Sequence, residues 1–250
     1  KGIDDMKIGV TQIILGQMTL DETLNLCQEA GYGAVELVFS PNKDLNPDLS
    51  DEELTAVSER CAQAGVVVTS VITQYAERGN LLSRDTPQRE LGRRCVARSL
   101  QIAGVLGAGA TLLHPGQLTP LGTYEEAWND LRDILRSLVT EAEHHGVAIG
   151  VENVWNKFIL SPREAVQFVD EVGSEWVGVY LDTANMMAYG HPEQWIRALG
   201  SRIKRVHVKD FDRAKHAFVE LMDGDTEWPL VIRELRAAGY GVSLIHEVSG

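Results

Sequence analysis

The feature that most constrains the fold is a regular alternation of short β-type runs with longer amphipathic segments. Short apolar runs bounded by turn residues indicate buried strands, and apolar residues spaced three and four apart indicate helices. Eight strands are predicted, at residues 7–13, 34–39, 66–73, 111–114, 148–152, 177–182, 203–208 and 242–247. Strands that alternate with helices are typical of a parallel sheet, because parallel neighbours need a long crossover connection.

Signals for helix starts support the same division of the chain. Helices are predicted at residues 19–30, 50–64, 87–106, 124–145, 161–172, 192–199 and 229–238. Three of them begin with a Ser or Thr that is followed three residues later by Glu, as in a capping box: Thr19, Ser50 and Ser161. Eight strands with their helices in 250 residues predict an α/β fold, a (β/α)₈ TIM barrel. The chain stops three residues after Glu247, so we expect the helix after the last strand to be missing from this sequence.

The chain is predicted to form one domain over residues 1–250, because no Gly/Ser-rich linker, charge block or low-complexity run divides it. The rival α/β architecture, a doubly wound sheet, favours a Gly-rich phosphate loop after the first strand. Residues 12–17 contain neither a GxGxxG motif nor a GKS/T motif. The barrel is therefore the preferred fold.

Charge and composition disfavour several classes of function. Lys and Arg number 23 against 36 Asp and Glu, and the net charge of −13 repels nucleic acid and anionic membranes. The apolar runs fall short of the roughly 18–20 residues that cross a bilayer, and the start of the chain lacks the apolar core of a signal peptide. The three cysteines form no CxxC pair, which favours reduced thiols in a cytoplasmic protein. We therefore expect no nucleic-acid partner and no membrane partner.

Polar residues stand at the ends of six predicted strands. They are Glu36, His114, Glu152, Asp182, His207 and Glu247. In a TIM barrel the carboxyl ends of the strands and the loops that follow them form the active-site face. Carboxylates that lie so close to an apolar core are costly unless another group pairs with them.

Four of these residues have the donor types and the spacing of a metal site. Glu152, Asp182, His207 and Glu247 are separated by 30, 25 and 40 residues, which approximates one strand and one helix per step. Three carboxylates and one imidazole suit Mn²⁺, Mg²⁺, Co²⁺ or Zn²⁺. The alternative interpretation is that the four side chains are independent and pair with Lys or Arg at the barrel rim. Spacing alone leaves both interpretations open.

Three segments resemble the sugar isomerase/epimerase superfamily of xylose isomerase-like barrels, and most closely its ketose and ketose-phosphate 3-epimerases. The segments are VENVWNKF at 151–158, GVYLDTAN at 178–185 and VHVKD at 206–210. The resemblance implies that one divalent metal ion, with Mn²⁺ preferred, is bound by Glu152, Asp182, His207 and Glu247. It also implies that Glu152 and Glu247 act as the acid/base pair.

The sequence departs from the free-ketose 3-epimerases at two positions. Phe158 stands where those enzymes have a second Glu, and Asn185 stands where they usually have a His. Arg213 matches an Arg that contacts substrate in the family. These departures are consistent with a different ketose or a phosphorylated one.

Further residues are expected to contact a sugar or sugar phosphate around the metal site. They are Glu36, His114, Trp155, Asn185, Lys209 and Arg213. The alternative for Lys209 and Arg213 is a solvent-exposed ion pair at the barrel rim, Lys209 with Asp210 and Arg213 with Asp212. For Glu36 and His114, the alternative is a structural role at the barrel mouth.

Two loops are candidates to shield the substrate from water. Trp155 and Phe158 follow the fifth strand, and core packing is the alternative interpretation of these rings. The loop at 74–85 carries Glu77, Arg78 and Arg84 and is a candidate to close over the substrate.

The predicted function is C3 epimerisation of a ketose or ketose phosphate by a metal-dependent isomerase. A divalent ion would stabilise the enediolate that forms when C3 loses its proton. Glu152 and Glu247, on opposite faces of the sugar, would remove and return that proton. An aldose–ketose isomerase, including the hydroxypyruvate isomerase type, and an inosose-type dehydratase would use the same site and stay open as alternatives.

Two further classes of protein, a nuclease and a binding protein, are alternatives to these enzymes. A DNA-repair endonuclease on the same barrel needs many His ligands and basic grooves, which seven His and a net charge of −13 disfavour. A non-catalytic sugar-binding barrel would carry structural acids and show no response to Mn²⁺. We expect a homodimer or homotetramer, because closed homo-oligomers are common among soluble proteins.

Overall fold

Eight parallel strands close into a barrel in the computed structural model, which describes residues 6–73 and 79–248. The strands along the chain are β1 (Lys7–Thr11), β2 (Ala34–Phe39), β3 (Val67–Thr73), β4 (Ala110–Leu113), β5 (Ala148–Glu152), β6 (Val177–Asp182), β7 (Ile203–Val208), β8 (Asp210–Asp212), β9 (Ala217–Val219) and β10 (Ser243–His246). Around the barrel the order is β1-β10-β7-β6-β5-β4-β3-β2. The other two strands, β8 and β9, form a separate antiparallel hairpin.

Helices connect the barrel strands. They are α1 (Leu20–Ala30), α2 (Asp51–Gln63), α3 (Thr86–Leu106), α4 (Tyr124–His145), α5 (Pro162–Val172), α6 (Pro192–Leu199) and α7 (Trp228–Ala237). Capping boxes precede α1, α2, α4 and α5, where a Ser or Thr side chain and a Glu three residues later satisfy each other's backbone N–H groups. These contacts confirm the helix starts predicted from Thr19, Ser50 and Ser161. None of the helices in residues 6–73 and 79–248 combines the length and the hydrophobicity that a membrane-spanning segment needs.

The predicted bounds of β2, β5, β6, β7, α4 and α6 agree with the structure. The first strand is shorter than predicted, because β1 ends at Thr11 and Gln12–Leu15 form a 3₁₀ helix. The Thr11 side chain caps this turn by accepting a hydrogen bond from the Ile13 backbone N–H. The sequence pattern also misses the hairpin, since its strands are only three residues long. A helix after β10 would lie beyond Val248, outside the described residues.

Apolar side chains fill the layer between the barrel and its helices. Leu131 and Leu135 of α4, Phe168 of α5 and Trp195 of α6 are almost completely buried. Full burial of one such aliphatic or aromatic side chain contributes about 1.5–3 kcal/mol. This layer holds the strands rigidly and so positions the residues at their carboxyl ends.

Closure of the barrel depends on a glycine in β1. A Cβ at Gly9 would lie 2.5 Å from the carbonyl oxygen of Ala34 on β2 and 2.7 Å from Ile245 Cδ1 on β10. Both distances are shorter than van der Waals contact, so a side chain would push the neighbouring strands apart. The glycine allows β1 to lie close to β2 on one side and to β10 on the other.

Candidate metal centre

The carboxyl ends of four neighbouring strands bring the four predicted ligands together. Glu152 and Asp182 are the last residues of β5 and β6, His207 is in β7, and Glu247 directly follows β10. Asp182 stands beside His207 in the strand register. One donor atom of each residue lies within 4.8 Å of the others. The strand ends therefore assemble the four donors that the spacing predicts.

This cluster offers buried donor atoms that lack hydrogen-bond partners. Asp182 and His207 are fully buried, and Asp182 Oδ2 and His207 Nδ1 make no hydrogen bond with any described residue. Burying such atoms without a hydrogen bond costs free energy, and Lys209 Nζ, 3.4 Å from Asp182 Oδ2, offsets only part of it. A cation held by both atoms would remove that cost. The donor set of three carboxylates and one imidazole nitrogen therefore fits a divalent cation.

The two glutamates of the cluster have opposite pKa shifts. Burial, together with the nearby charge of Glu247, raises the pKa of Glu152 to about 7. Burial also acts to raise the pKa of Glu247, but the charges of His207 and Lys209 outweigh it and hold that pKa well below its usual range. His207 Nδ1 lies between the two, 3.6 Å from Glu152 Oε1 and 3.3 Å from Glu247 Oε2. The ionised form of Glu247 is thus stabilised by nearby positive charge more strongly than that of Glu152.

Lys209 belongs to this cluster rather than to the barrel rim. Its Nζ lies 2.8 Å from Glu247 Oε2 and 3.4 Å from Asp182 Oδ2. The ion pair between Lys209 and Asp210, which was an alternative from the sequence, does not form. The Asp210 carboxylate instead accepts hydrogen bonds from the Thr226 N–H and the Trp228 indole N–H. Lys209 therefore neutralises part of the negative charge of the cluster.

Two asparagines hold Asp182 at the end of β6. Asp182 Oδ1 accepts hydrogen bonds from the backbone N–H groups of Ala184 at 2.8 Å and Asn185 at 2.7 Å. Asn153 Oδ1 accepts from the Asp182 N–H at 2.9 Å, and Asn153 Nδ2 donates to the Asp182 carbonyl at 3.0 Å. Sequence reasoning missed Asn153, although its position directly after Glu152 was an available signal.

The side chain and the carbonyl group of Asn185 both make hydrogen bonds within the loops. Its Nδ2 donates to the Asn153 carbonyl at 2.9 Å, and its own carbonyl accepts from the Trp155 indole N–H at 2.6 Å. These contacts join the loop after β5 to the loop after β6. They favour a role in loop structure over the predicted contact of the Asn185 amide with substrate.

Glu36 lies behind His207, inside the barrel, and is fully buried. Its Oε1 is 3.0 Å from His207 Nε2 and accepts from the Thr11 hydroxyl, while its Oε2 accepts from the hydroxyls of Ser70 and Tyr180. Glu36 is the third residue of the six-residue strand β2, so it lies deeper than the strand end. These contacts occupy both oxygens and favour a structural position over the predicted substrate contact.

Trp155 stands at the rim of the site, on the loop after β5. It is 47% exposed, and its ring stacks on Phe218 of the hairpin with the ring centroids 5.0 Å apart. Phe158, a candidate for shielding the sugar, is instead buried and packs against the ring of Phe168. Core packing is therefore the correct interpretation of Phe158.

His114 and Arg213 also make contacts within the loops. His114, directly after β4, is buried, and its Nδ1 accepts a hydrogen bond from the Gly116 N–H at 3.0 Å. The Arg213 guanidinium donates to the carbonyl oxygens of Met187 at 2.5 Å and Gly190 at 2.8 Å. Arg213 thus braces the loop after β6, which favours loop support over its predicted substrate contact.

The loop at 74–85 is described from residue 79 onward, so Glu77 and Arg78 lie outside the described residues. Arg84 forms an ion pair with Asp130 of α4, with 2.8 Å between Nη1 and Oδ2. This contact ties Arg84 to the helix layer rather than to the metal centre.

Comparisons with known proteins agree with this fold. The family model described as a xylose isomerase-like TIM barrel matches residues 24–250. L-ribulose-5-phosphate 3-epimerase UlaE of Salmonella heidelberg is 26% identical over 225 residues, which cover 87% of this chain and 78% of that enzyme. The structure of L-ribulose 3-epimerase has a TM-score of 0.81 at 21% identity and covers 98% of this chain and 82% of that one. The structure of the IOLI protein with a zinc atom has a TM-score of 0.80 at 20% identity. The match covers 97% of this chain and 89% of the IOLI chain.

The family match includes all four residues of the cluster, since it extends from within α1 to residue 250. The solved structures agree in fold over nearly the whole chain. The order of strands, the closed barrel and the family match lead to one assignment. The chain belongs to the xylose isomerase-like TIM barrel family.

Proposed function

We propose that this protein is a divalent-metal-dependent sugar epimerase that inverts C3 of a ketose or ketose phosphate. The observation that carries the proposal is the cluster of Glu152, Asp182, His207 and Glu247, whose donor atoms lie within 4.8 Å of one another at the carboxyl ends of the strands. The similarity to L-ribulose-5-phosphate 3-epimerase UlaE supports the choice of reaction and substrate class.

The same four residues would hold the metal ion. Mn²⁺ is our first choice, with Mg²⁺, Co²⁺ and Zn²⁺ as alternatives, because carboxylate and imidazole donors suit all four ions. When bound, the ion would polarise a substrate oxygen and stabilise the negative charge that develops as a neighbouring C–H bond breaks. The IOLI structure, which shares the fold, holds a zinc atom.

Glu247 and Glu152 are suited to act as base and acid on one carbon atom. Lys209 Nζ, 2.8 Å from Glu247 Oε2, favours the ionised form of Glu247, and an ionised carboxylate can accept the C3 proton. Glu152 is the second carboxyl group at the centre, with its Oε1 3.6 Å from His207 Nδ1, and would return a proton to C3. The electron pair of the broken C–H bond moves toward the carbonyl oxygen and returns to C3 when the new proton arrives. Strands β6 and β7 lie between the strands that carry the two glutamates, and we propose that the two carboxyl groups act on opposite faces of C3.

Lys209 and Trp155 are the substrate contacts that the geometry supports best. Lys209 Nζ lies inside the cluster, 2.8 Å from Glu247 Oε2, and carries donors for a substrate hydroxyl or carbonyl oxygen. The half-exposed ring of Trp155 offers an apolar face to the carbon side of a sugar. His114, at the end of β4, stays a proposed contact.

Proton exchange tests this proposal. Protein is stripped with EDTA, reloaded with Mn²⁺, Mg²⁺ or Co²⁺, and incubated in D₂O with ketoses and ketose phosphates before NMR locates the deuterium. We expect deuterium at C3 together with a new C3 epimer, and only in the reloaded protein. Deuterium at C1 or C2 would identify an aldose–ketose isomerase, and loss of water from the substrate would identify an inosose-type dehydratase. No exchange and no thermal shift with any metal would contradict the proposal and favour a sugar-binding barrel.

A further inference from the structure

A buried carboxylate contacts the metal centre from inside the barrel. Glu36 Oε1 lies 3.0 Å from His207 Nε2, and the Thr11 hydroxyl donates to the same oxygen at 2.8 Å. Glu36 Oε2 accepts from the Ser70 hydroxyl at 2.8 Å and from the Tyr180 hydroxyl at 2.6 Å. Glu36, Ser70, Tyr180 and His207 have no exposed surface. Water therefore does not compete for these hydrogen bonds.

These contacts indicate that Nε2, the ring nitrogen of His207 that faces Glu36, carries a proton. An ionised carboxylate only accepts hydrogen bonds, and three hydroxyl groups already donate to the Glu36 oxygens. The contact with His207 is satisfied only when Nε2–H is the donor. Nδ1 is then the nitrogen that faces the cluster, where it lies 3.3 Å from Glu247 Oε2 and has no hydrogen bond from or to a described residue.

The neighbouring tyrosine restricts the orientation of the His207 ring. The ring centroids of Tyr180 and His207 are 4.5 Å apart, and the two planes are inclined by 53°. The Tyr180 hydroxyl is itself held by Glu36 at 2.6 Å. A half turn of the imidazole about its Cβ–Cγ bond would break the contact with Glu36 and leave a buried carboxylate oxygen with one donor fewer.

We propose that Glu36 is a positioning residue that orients His207 and keeps its Nδ1 directed at the metal ion. The inference rests on the proposed function, because it assumes that the four cluster residues hold a metal. A carboxylate that accepts the second ring N–H of a metal-binding His fixes the orientation of the ring, and its loss typically weakens metal binding about 10–100-fold. Glu36 acts through His207 and touches neither the metal nor the substrate.

Metal titration of three variants tests the proposal. In Glu36→Ala, which removes the acceptor, we expect the Kd for Mn²⁺ measured by calorimetry to rise about 10–100-fold. Glu36→Gln keeps an oxygen that can accept from Nε2–H and should recover most of the affinity. Ser70→Ala is the matched control, because it removes one hydroxyl from Oε2 without changing the contact between Oε1 and Nε2, and its Kd should stay close to wild type. Wild-type affinity in Glu36→Ala, or an equal loss in Ser70→Ala, would overturn the proposal.

A spectroscopic measurement covers the case in which Glu36→Ala fails to fold. In protein labelled with ¹⁵N-histidine, the His207 signals are assigned by their absence from His207→Asn. We expect a His207 Nε2–H proton that is protected from solvent exchange, both without metal and with diamagnetic Zn²⁺, and a coordination shift at Nδ1 when Zn²⁺ is added. Glu36→Gln should retain this proton. An unprotonated Nε2, or coordination at Nε2, would refute the proposal.

The outcomes separate this inference from the proposed function. Absence of metal binding by the wild-type protein overturns the proposed function and, with it, the role of Glu36 toward a metal. Metal binding by Glu36→Ala with wild-type affinity overturns the inference alone.

Discussion

At the scale of single residues, the metal centre combines deep burial with a high density of negative charge. Asp182 and His207 have no exposed surface, and Glu152 is 8% exposed, so their charges must be compensated within the protein. Lys209 supplies one positive charge 2.8 Å from Glu247. A bound divalent cation would supply the rest, and we therefore expect metal affinity to depend strongly on each ligand.

Asp182→Asn should weaken metal binding while leaving the metal-free fold intact. The amide keeps an oxygen for the N–H groups of Ala184 and Asn185 but loses the anionic Oδ2. Mn²⁺ at about 100 times its Kd should stabilise the wild-type protein by about 2.7 kcal/mol, whereas the variant should gain little. Scanning calorimetry with and without Mn²⁺ measures the difference, with Asp48→Asn at an exposed position as the control. An equal Mn²⁺-dependent rise in melting temperature would argue against Asp182 as a ligand.

Glu247→Gln should greatly slow proton exchange at C3, because an amide does not accept the substrate proton. A positioned base contributes about 10²–10⁴-fold, so we expect kcat to fall by that factor. The readout is deuterium incorporation at C3 at a saturating metal concentration, determined from the Kd of the variant. Glu59→Gln, at an exposed position of α2, should behave as wild type. Exchange retained in Glu247→Gln would rule out the two-base mechanism.

At the scale of elements, helix capping determines where the loops of the site end. The loop between β5 and α5 carries Trp155 and ends at the capping box of α5. Ser161 Oγ accepts from the Glu164 N–H at 3.2 Å, and Glu164 Oε2 accepts from the Ser161 N–H at 3.1 Å. The same carboxylate oxygen accepts from the Leu160 N–H at 2.7 Å. The cap therefore holds both the start of the helix and the last residues of the loop.

Ser161→Ala should lower the free energy of unfolding by about 1 kcal/mol, because the Glu164 N–H loses its partner. Urea unfolding followed by circular dichroism measures this change. Ser137→Ala is the control, since Ser137 lies at an exposed position within α4 and its hydroxyl donates to the Ile134 carbonyl of the same helix. Its effect should stay within about 0.5 kcal/mol. Equal losses in both variants would mean that the cap is not the cause.

At the scale of the whole molecule, closure of the barrel completes the metal centre. Ile245 of β10 is paired in register with Gly9 of β1 and with His207 of β7. Glu247 follows two residues later, and its backbone N–H donates to the Val208 carbonyl at 3.2 Å. The position of this ligand thus depends on contacts between the first and the last strands of the barrel.

Gly9→Ala should destabilise the protein by about 1–3 kcal/mol, because the added methyl group overpacks the contacts of β1 with β2 and β10. A Cβ at this position would lie 2.5 Å from the Ala34 carbonyl oxygen. Gly241→Ala is the matched control, since no atom lies within 4 Å of a Cβ built there. Urea unfolding of both variants checks the prediction. A Gly9→Ala variant as stable as Gly241→Ala would contradict the importance of this close contact for closure.

Several side chains have partners that are distant in the chain, so their own segments do not indicate their contacts. Glu36 and His207 are 171 residues apart, and nothing in the segment around Glu36 indicates that its carboxylate faces an imidazole. Arg213 contacts carbonyl groups more than 20 residues away, so its segment alone does not distinguish loop support from substrate contact. For Phe158, an aromatic side chain in a loop is compatible with either core packing or substrate shielding.

The sequence by itself determined the order of strands and helices, and with it the barrel and the four donors at the strand ends. These features are local, because apolar periodicity and capping boxes act over a few residues and a strand end is recognisable from its own segment. Only the tertiary structure decided that Lys209 enters the cluster, that Glu36 holds His207 from behind, and that Trp155 rests on the hairpin. Each of these contacts forms because closure of the barrel brings together residues that the chain separates.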